Sequence, residues 1–285
     1  MPGTLLICYD VETASQSTDG FLAGAQEMHR ELAIPATLFF TGRTIEERTK
    51  ACRAAAEEPL FTIGQHTYSH VLLKTVYMQP DDGRPCPHSP EGGPALLCEG
   101  ADLATIEQEV TRTQELYEKT FGRACRGLTG PWGYYRGLAD RPDILRILAR
   151  SGIRWVRTYA RDERDCQPVP LTVQPFFYAD QGFEDLLEIP VQGYQDDFYW
   201  ERFDDRRRGP DYIDYLRWAL QYVMDHDLVF CVNSHDHNTP TVAAFNETKG
   251  AWLRPLLESV REMDIRCLGC EQLYQERVGG RDGGA

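Results

Sequence analysis

Two histidines four positions apart, His66 and His70, have the spacing in this chain that most directly suggests a metal-binding or catalytic site. On one turn of a helix this spacing points both imidazole rings at the same spot. Neutral imidazole is the commonest protein ligand for zinc-like metals, and catalytic zinc sites often combine two histidines with one carboxylate and an open position for water. The pair predicts part of a divalent metal site, although surface histidine pairs at this spacing also arise by chance.

A pair of carboxylates could complete such a site. Asp10-Val11-Glu12 ends the apolar run 5–9, and in an extended segment the two acidic side chains point to the same side. One carboxylate can bind the metal while the other accepts a proton from water. The alternative interpretation is an ion pair, or a cap for a helix that starts near Ser17.

The hydrophobic pattern predicts the elements that carry these residues. Buried strands alternate with helices along the chain, which favours parallel strands and one α/β barrel over an open sheet with separate domains. The eight strand candidates are 4–9, 36–40, 60–63, 126–129, 153–158, 186–191, 228–234 and 265–268. The prediction is a single domain over residues 1–285, interrupted by a long loop rich in proline and glycine at about 77–101.

Candidate polar residues follow several of these strands. The carboxyl ends of all strands in a parallel barrel lie on one face, where active sites form. Residues from distant parts of the chain are therefore expected to meet there: Asp10, Glu12, His66, His70, the segment 131–133, and His235. This coincidence is stronger evidence for a site than any one motif.

Composition excludes several classes of partner and location. A net charge of -14 argues against nucleic acid or an anionic membrane as the main partner. The first apolar run is too short for a signal peptide or a membrane span. Nine cysteines without regular spacing favour reduced thiols and hence a cytoplasmic protein. His29 and His226 are expected to be solvent-exposed or to contact helix dipoles.

In combination, the motifs resemble those of the polysaccharide deacetylase family of carbohydrate esterases, also called the NodB homology domain. The resemblance covers nearly the whole chain and is carried by the early acidic motif 10–12, Ile34-Pro35-Ala36-Thr37-Leu38-Phe39-Phe40-Thr41-Gly42, Ile63-Gly64-Gln65-His66-Thr67-Tyr68-Ser69-His70, Gly130-Pro131-Trp132-Gly133 and His235-Asp236. It implies a distorted (β/α)7–8 barrel. It also implies a metal-dependent hydrolase that removes acetyl groups from N-acetylated sugars, with relatives acting on other C–N amides.

The resemblance also implies roles for individual residues. Asp10 matches the base and His235 the acid that protonates the leaving amine. The metal ligands are Glu12, His66 and His70, and the expected metal is zinc. Because Val11 separates the two carboxylates and glutamate replaces aspartate, base and ligand could be exchanged. The post-strand residues predicted to bind substrate are Pro131, Trp132, Gly133 and Tyr134.

Two departures from the family pattern concern the acid and the base. Thr129 stands where the family has an arginine that orients the base, and Arg126 or Arg136 is expected to reach in instead. His237 lies two residues after His235 and competes for the role of acid. Asp236 is expected to orient one of these two rings.

Three functions remain open from the sequence. The first is deacetylation of an amino sugar or of an oligo- or polysaccharide. The second is hydrolysis of a small non-sugar amide or ureide. The third is a catalytically silent carbohydrate-binding domain, in which Thr129 marks lost catalysis. The sequence gives no oligomeric state.

Overall fold

Apolar runs of strand length form a mostly parallel sheet in the computed structural model, which describes residues 3–78, 96–196 and 212–282. The strands are β1 (Thr4–Val11), β2 (Ala36–Phe40), β3 (Phe61–Gln65), β4 (Val76–Met78), β5 (Leu96–Cys98), β6 (Gly127–Tyr135), β7 (Trp155–Arg161), β8 (Phe176–Tyr178), β9 (Phe183–Glu188), β10 (Val229–His235) and β11 (Arg266–Leu268). The helices are α1 (Gln16–Leu32), α2 (Gly42–Glu47), α3 (Thr49–Ala56), α4 (Leu103–Phe121), α5 (Pro142–Arg150), α6 (Tyr212–Asp225), α7 (Val242–Glu247), α8 (Gly250–Glu262) and α9 (Cys270–Asp282).

The main sheet runs in the order β10-β1-β2-β3-β6-β7-β9, and every neighbouring pair in this path is parallel. β8 joins its end antiparallel to β9, and β11 pairs with β1. This arrangement confirms the predicted α/β barrel class. β1 is buried along its whole length, which explains its continuous apolar run.

Two glutamine side chains connect the ends of this curved sheet. Gln192 donates to the Val229 carbonyl at 3.0 Å and accepts from the Cys231 amide at 2.9 Å. Gln174 accepts from the Val229 amide at 2.8 Å. Their side-chain amides satisfy backbone groups of β10 that a neighbouring strand would otherwise pair. The barrel is distorted because side chains join β10 to the segments that flank β8 and β9.

The helix boundaries follow local signals. Asp102 caps α4, since its Oδ1 accepts from the Thr105 amide at 2.8 Å. The helical region after β2 is divided at Arg48 into α2 and α3. Most of the predicted 77–101 loop, residues 79–95, lies outside the described residues, while its flanks pair as β4 and β5. Among the described helices, none has the length and apolar character to cross a membrane.

Candidate active site

Three potential metal donors converge beyond the carboxyl ends of β1 and β3. Oε2 of Glu12 lies 3.0 Å from Nε2 of His66 and 2.9 Å from Nε2 of His70. Within the described segments, these three residues form the group of histidine, cysteine and acidic donors that could hold a metal ion. β1 delivers Glu12, and β3 ends one residue before His66.

The two histidines lie on a tight turn and not on the helical turn suggested by their spacing. Thr67 and His70 have φ angles of 57° and 63°, in the left-handed region, which a right-handed helix cannot include. Glu109 on α4 holds the turn, because Ser69 donates to it from its amide at 2.7 Å and from its hydroxyl at 2.8 Å. The two rings still meet, edge to face, with centroids 4.7 Å apart.

The contact between His66 and Glu12 fits a bound cation. Nδ1 of His66 lies 3.0 Å from the Thr129 carbonyl, which can only accept, so Nδ1 carries the proton and Nε2 is an acceptor in neutral imidazole. Two acceptors 3.0 Å apart require a metal ion or a second proton between them. Burial alone would lower the pKa of His66, but the carboxylates of Asp10 and Glu12 outweigh burial and raise it. The surrounding carboxylates thus favour a positive charge at this position, which supports a metal held by Glu12, His66 and His70.

Asp10 lies beside this cluster and is fixed through both carboxylate oxygens. Arg157 on β7 donates to Oδ1 from Nη2, and Asn233 on β10 donates to Oδ2 at 3.0 Å. Burial opposes ionisation of Asp10, but Arg157 and the neighbouring histidines outweigh it and lower the pKa. Asp10 is therefore a buried, oriented carboxylate that can accept a proton.

His235 faces Asp10 from the end of β10. Its Nε2 lies 3.8 Å from Oδ2 of Asp10, and its Nδ1 lies 3.1 Å from Oδ1 of Asp196. Asp196 is fully buried and also accepts from Lys249 at 2.9 Å and Ser234 at 2.7 Å. Burial would raise the pKa of Asp196, but Lys249 and His235 outweigh it and lower the pKa. Asp196 thus remains an anion that orients His235.

His237 and Asp236 have other contacts than those expected from the sequence. Nε2 of His237 lies 2.9 Å from Oε1 of Glu12, on the oxygen that does not face the other two histidines. Asp236 orients neither ring. It accepts from the amides of Glu12 and Thr13, at 3.1 Å and 3.2 Å, and from the hydroxyl of Thr18. It therefore fixes the backbone that carries Glu12.

The predicted substrate-binding segment contributes only in part to the cavity above these residues. Trp132 and Gly133 line this cavity, which has a volume of about 100 Å³. Pro131 and Tyr134 do not line it, and Tyr134 is buried in the core, where its hydroxyl accepts from the Leu73 amide at 2.8 Å. The φ angles of Trp132 and Gly133 are 66° and 67°, in the left-handed region, so β6 is kinked at the two residues that line the cavity.

The arginine that meets Asp10 is neither of the two candidates from the sequence. Arg126 precedes β6, at the opposite end of the strand from the site, and pairs with Glu271 at 2.9 Å. Arg136 is exposed after β6. Arg157 was missed, although an arginine inside a predicted buried strand is a signal that sequence analysis could use. Asn233, a polar residue inside the predicted strand 228–234, carries a similar signal, whereas Asp196 carries none.

The sequence matches the family model described as "Polysaccharide deacetylase" over residues 4–154. No curated protein matches the chain.

Solved structures with the same fold have low sequence identity. A probable polysaccharide deacetylase from Pseudomonas aeruginosa PAO1 has a TM-score of 0.66 at 12% identity, covering 95% of this chain and 89% of the other. The Puue allantoinase has a TM-score of 0.67 at 11% identity, with the same two coverages of 95% and 89%. A CE4 family pseudoenzyme from Bacillus anthracis has a TM-score of 0.51 at 13% identity, covering 96% of this chain and 66% of the other.

Proposed function

Because the chain belongs to the polysaccharide deacetylase family, we propose that it is a metal-dependent hydrolase that removes an N-acetyl group from an amino sugar or from an oligo- or polysaccharide. The observation that carries this proposal is the pairing of Asp10 with His235 beside the Glu12, His66 and His70 cluster. A carboxylate and an imidazole at one point can divide proton transfer between them.

In the proposed reaction, Asp10 accepts a proton from the attacking water, and His235 donates one to the leaving nitrogen. Asp196 holds the Nδ1 proton of His235, so the proton that His235 donates as the C–N bond breaks is the Nε2 proton of its imidazolium form. A divalent metal at Glu12, His66 and His70 would polarise the acyl carbonyl and make water more acidic. Two imidazoles and one carboxylate suit zinc best.

A second candidate is hydrolysis of a small non-sugar amide or ureide. The structural similarity to an allantoinase and the small cavity favour it. A cytoplasmic location, as expected from the sequence, is also compatible with a small substrate.

Release of acetate from a panel of N-acetyl sugars, with small ureides assayed in parallel, tests the proposal. Metal content is measured by elemental analysis of protein purified without added metal. We expect one divalent ion per chain and turnover of at least one N-acetyl sugar. Ureide turnover alone would favour the second candidate, and sugar binding without turnover would favour a silent carbohydrate-binding protein. A chain that contains no metal and takes up no zinc would contradict both hydrolase proposals.

A further inference from the structure

Arg157 lies one strand away from Thr129, the position at which the family pattern has an arginine and this chain does not. In the parallel pairing of β6 and β7, Arg157 is the register partner of Thr129. The Thr129 hydroxyl donates to the Arg157 carbonyl at 2.9 Å, so the two residues are at the same level of the barrel. The guanidinium of Arg157 reaches Asp10 from this neighbouring strand.

We propose that Arg157 is the positioning residue for Asp10 and takes the place of the arginine absent at Thr129. This inference rests on the proposed function, because it assigns to Asp10 the role of base. Arg157 holds Oδ1, whereas Asn233 holds Oδ2, so the carboxylate plane is set from two strands. A guanidinium suits this role because its planar donors fix an orientation as well as a charge.

The surroundings of Arg157 direct its charge to Asp10. Its side chain is only 2% exposed, and its guanidinium carbon lies 4.8 Å from the centre of the Phe39 ring. The nearby thiol of Cys8 stays neutral, since burial raises its pKa well above the usual range. Cys8 therefore does not compete with Asp10 for the guanidinium. In this buried setting the ion pair is screened little by solvent.

The contact between Arg157 and Asp10 also explains how the site can orient its proposed base without an arginine at position 129. Nothing in the proposed role requires that the guanidinium come from β6, because the same carboxylate is reached from β7 at the same height. Thr129 keeps a separate function, since its carbonyl contacts Nδ1 of His66. Base positioning and ligand orientation thus come from register partners on adjacent strands.

Kinetics of Arg157→Ala and Arg157→Lys, measured on the zinc-loaded full chain with the N-acetyl sugar that wild type hydrolyses, test the proposal. For Arg157→Ala we expect a kcat about 100-fold or more below wild type, because small misplacement of a reacting group has effects of this size. KM and metal content should change little. Methylguanidinium at millimolar concentration should restore part of kcat by filling the space left in Arg157→Ala. Arg157→Lys keeps the charge but not the planar donors, so its kcat should also fall.

Arg154→Lys is the matched control. Arg154 precedes β7 and faces Asp185 at the surface at 3.7 Å, so this variant should keep the wild-type kcat. Unchanged kcat in both Arg157 variants, or a loss that appears only in KM or that methylguanidinium does not reverse, would overturn the proposal. If Arg157→Ala does not fold, Arg157→Lys decides the matter: a lowered kcat with little change in KM supports the proposal, and an unchanged kcat overturns it.

A crystal structure of Arg157→Lys separates this inference from the proposed function. We expect the Asp10 carboxylate to rotate relative to wild type when the planar donors are lost. An Asp10 that keeps its wild-type orientation would overturn the positioning role, whether or not the protein hydrolyses any amide. Absence of wild-type turnover, by contrast, would contradict the proposed function and leave the rotation of Asp10 as the deciding result for Arg157.

Discussion

Nδ1 of His235 lies 3.1 Å from Oδ1 of the fully buried Asp196. This contact distinguishes His235 from His237, whose Nε2 lies 2.9 Å from the Glu12 carboxylate. One ring is oriented by a buried anion and presents its other nitrogen to Asp10. The second ring contacts a proposed metal ligand. Replacement of His235 and replacement of His237 are therefore expected to have different effects on turnover and on metal binding.

Replacement of His235 should affect proton transfer and not metal binding. His235→Ala should lower turnover by about 100-fold or more, the usual contribution of a positioned acid, while the metal remains bound. His237→Ala should instead weaken metal binding by about 10-fold or more, because a residue that supports a ligand contributes this much. Turnover and metal affinity of both variants provide the measurement. If His237→Ala abolishes turnover with metal retained and His235→Ala does not, the roles are reversed.

Removal of Glu109 should loosen the turn that presents His70. Glu109 accepts both the amide and the hydroxyl of Ser69, and nothing in its role involves substrate. Glu109→Ala should reduce metal affinity by about 10-fold, with activity recovered in excess metal. Glu107→Ala on the exposed side of the same helix is the control and should bind metal as wild type does. Equal affinities in the two variants would show that the turn keeps its shape without Glu109.

The elements that position the site could be predicted from the sequence because buried parallel strands are continuous apolar runs. The runs at 4–9 and 36–40 correspond closely to β1 and β2. Once the strands are placed, the carboxyl-end rule collects residues from distant segments without any knowledge of their contacts. This is how Asp10, His66 and His235 could be grouped before any distance was known.

The partners of these residues could not be predicted in the same way. Asp196 follows an irregular segment, so periodicity cannot place it beside His235. Proximity to Thr129 along the chain does not indicate Arg157, because this register partner of Thr129 is 28 residues away in sequence. The helical turn predicted for 66–70 is wrong because a spacing of four is shared by helices and by turns with left-handed residues. Spacing gives candidates, but register and backbone conformation decide contacts.

His29 should make the protein less stable at acidic pH. It is fully buried, contrary to the exposure expected from its helical position, with Nδ1 2.7 Å from the Ile34 carbonyl and Nε2 2.7 Å from the Tyr9 hydroxyl. Burial lowers its pKa from 6.5 to about 4. Between these values the unfolded chain binds a proton that the folded chain does not, so stability falls as pH decreases through this window.

Because of His29, the free energy of unfolding should decrease by about 2 kcal/mol between pH 7 and pH 5. Urea unfolding of wild type and His29→Gln at both pH values measures it. The variant should be less stable at pH 7, because two buried contacts are altered, but its stability should change less between the two pH values. A wild-type pH dependence equal to that of His29→Gln would contradict the buried neutral state of His29.

Replacement of Asp10 in β1 and of Glu12 just after β1 should have different effects on activity and metal binding. Asp10 contacts Arg157 and Asn233, whereas Glu12 faces His66 and His70 through Oε2. Asp10→Asn removes the proton acceptor and keeps an oxygen of similar shape, so turnover should fall by about 100-fold or more with metal retained. Glu12→Gln removes a charged ligand, so metal affinity should fall by about 100-fold or more and excess metal should restore part of the activity.

Titration of zinc into both variants, with acetate release followed at each concentration, decides between the two assignments. Asp10→Asn leaves the buried guanidinium of Arg157 without its anion, so thermal unfolding of each variant is needed to show that lost activity is not lost folding. The decisive comparison is made at a temperature where both variants are folded. There, rescue of Asp10→Asn by metal, with none for Glu12→Gln, would mean that Asp10 is the ligand and Glu12 the base.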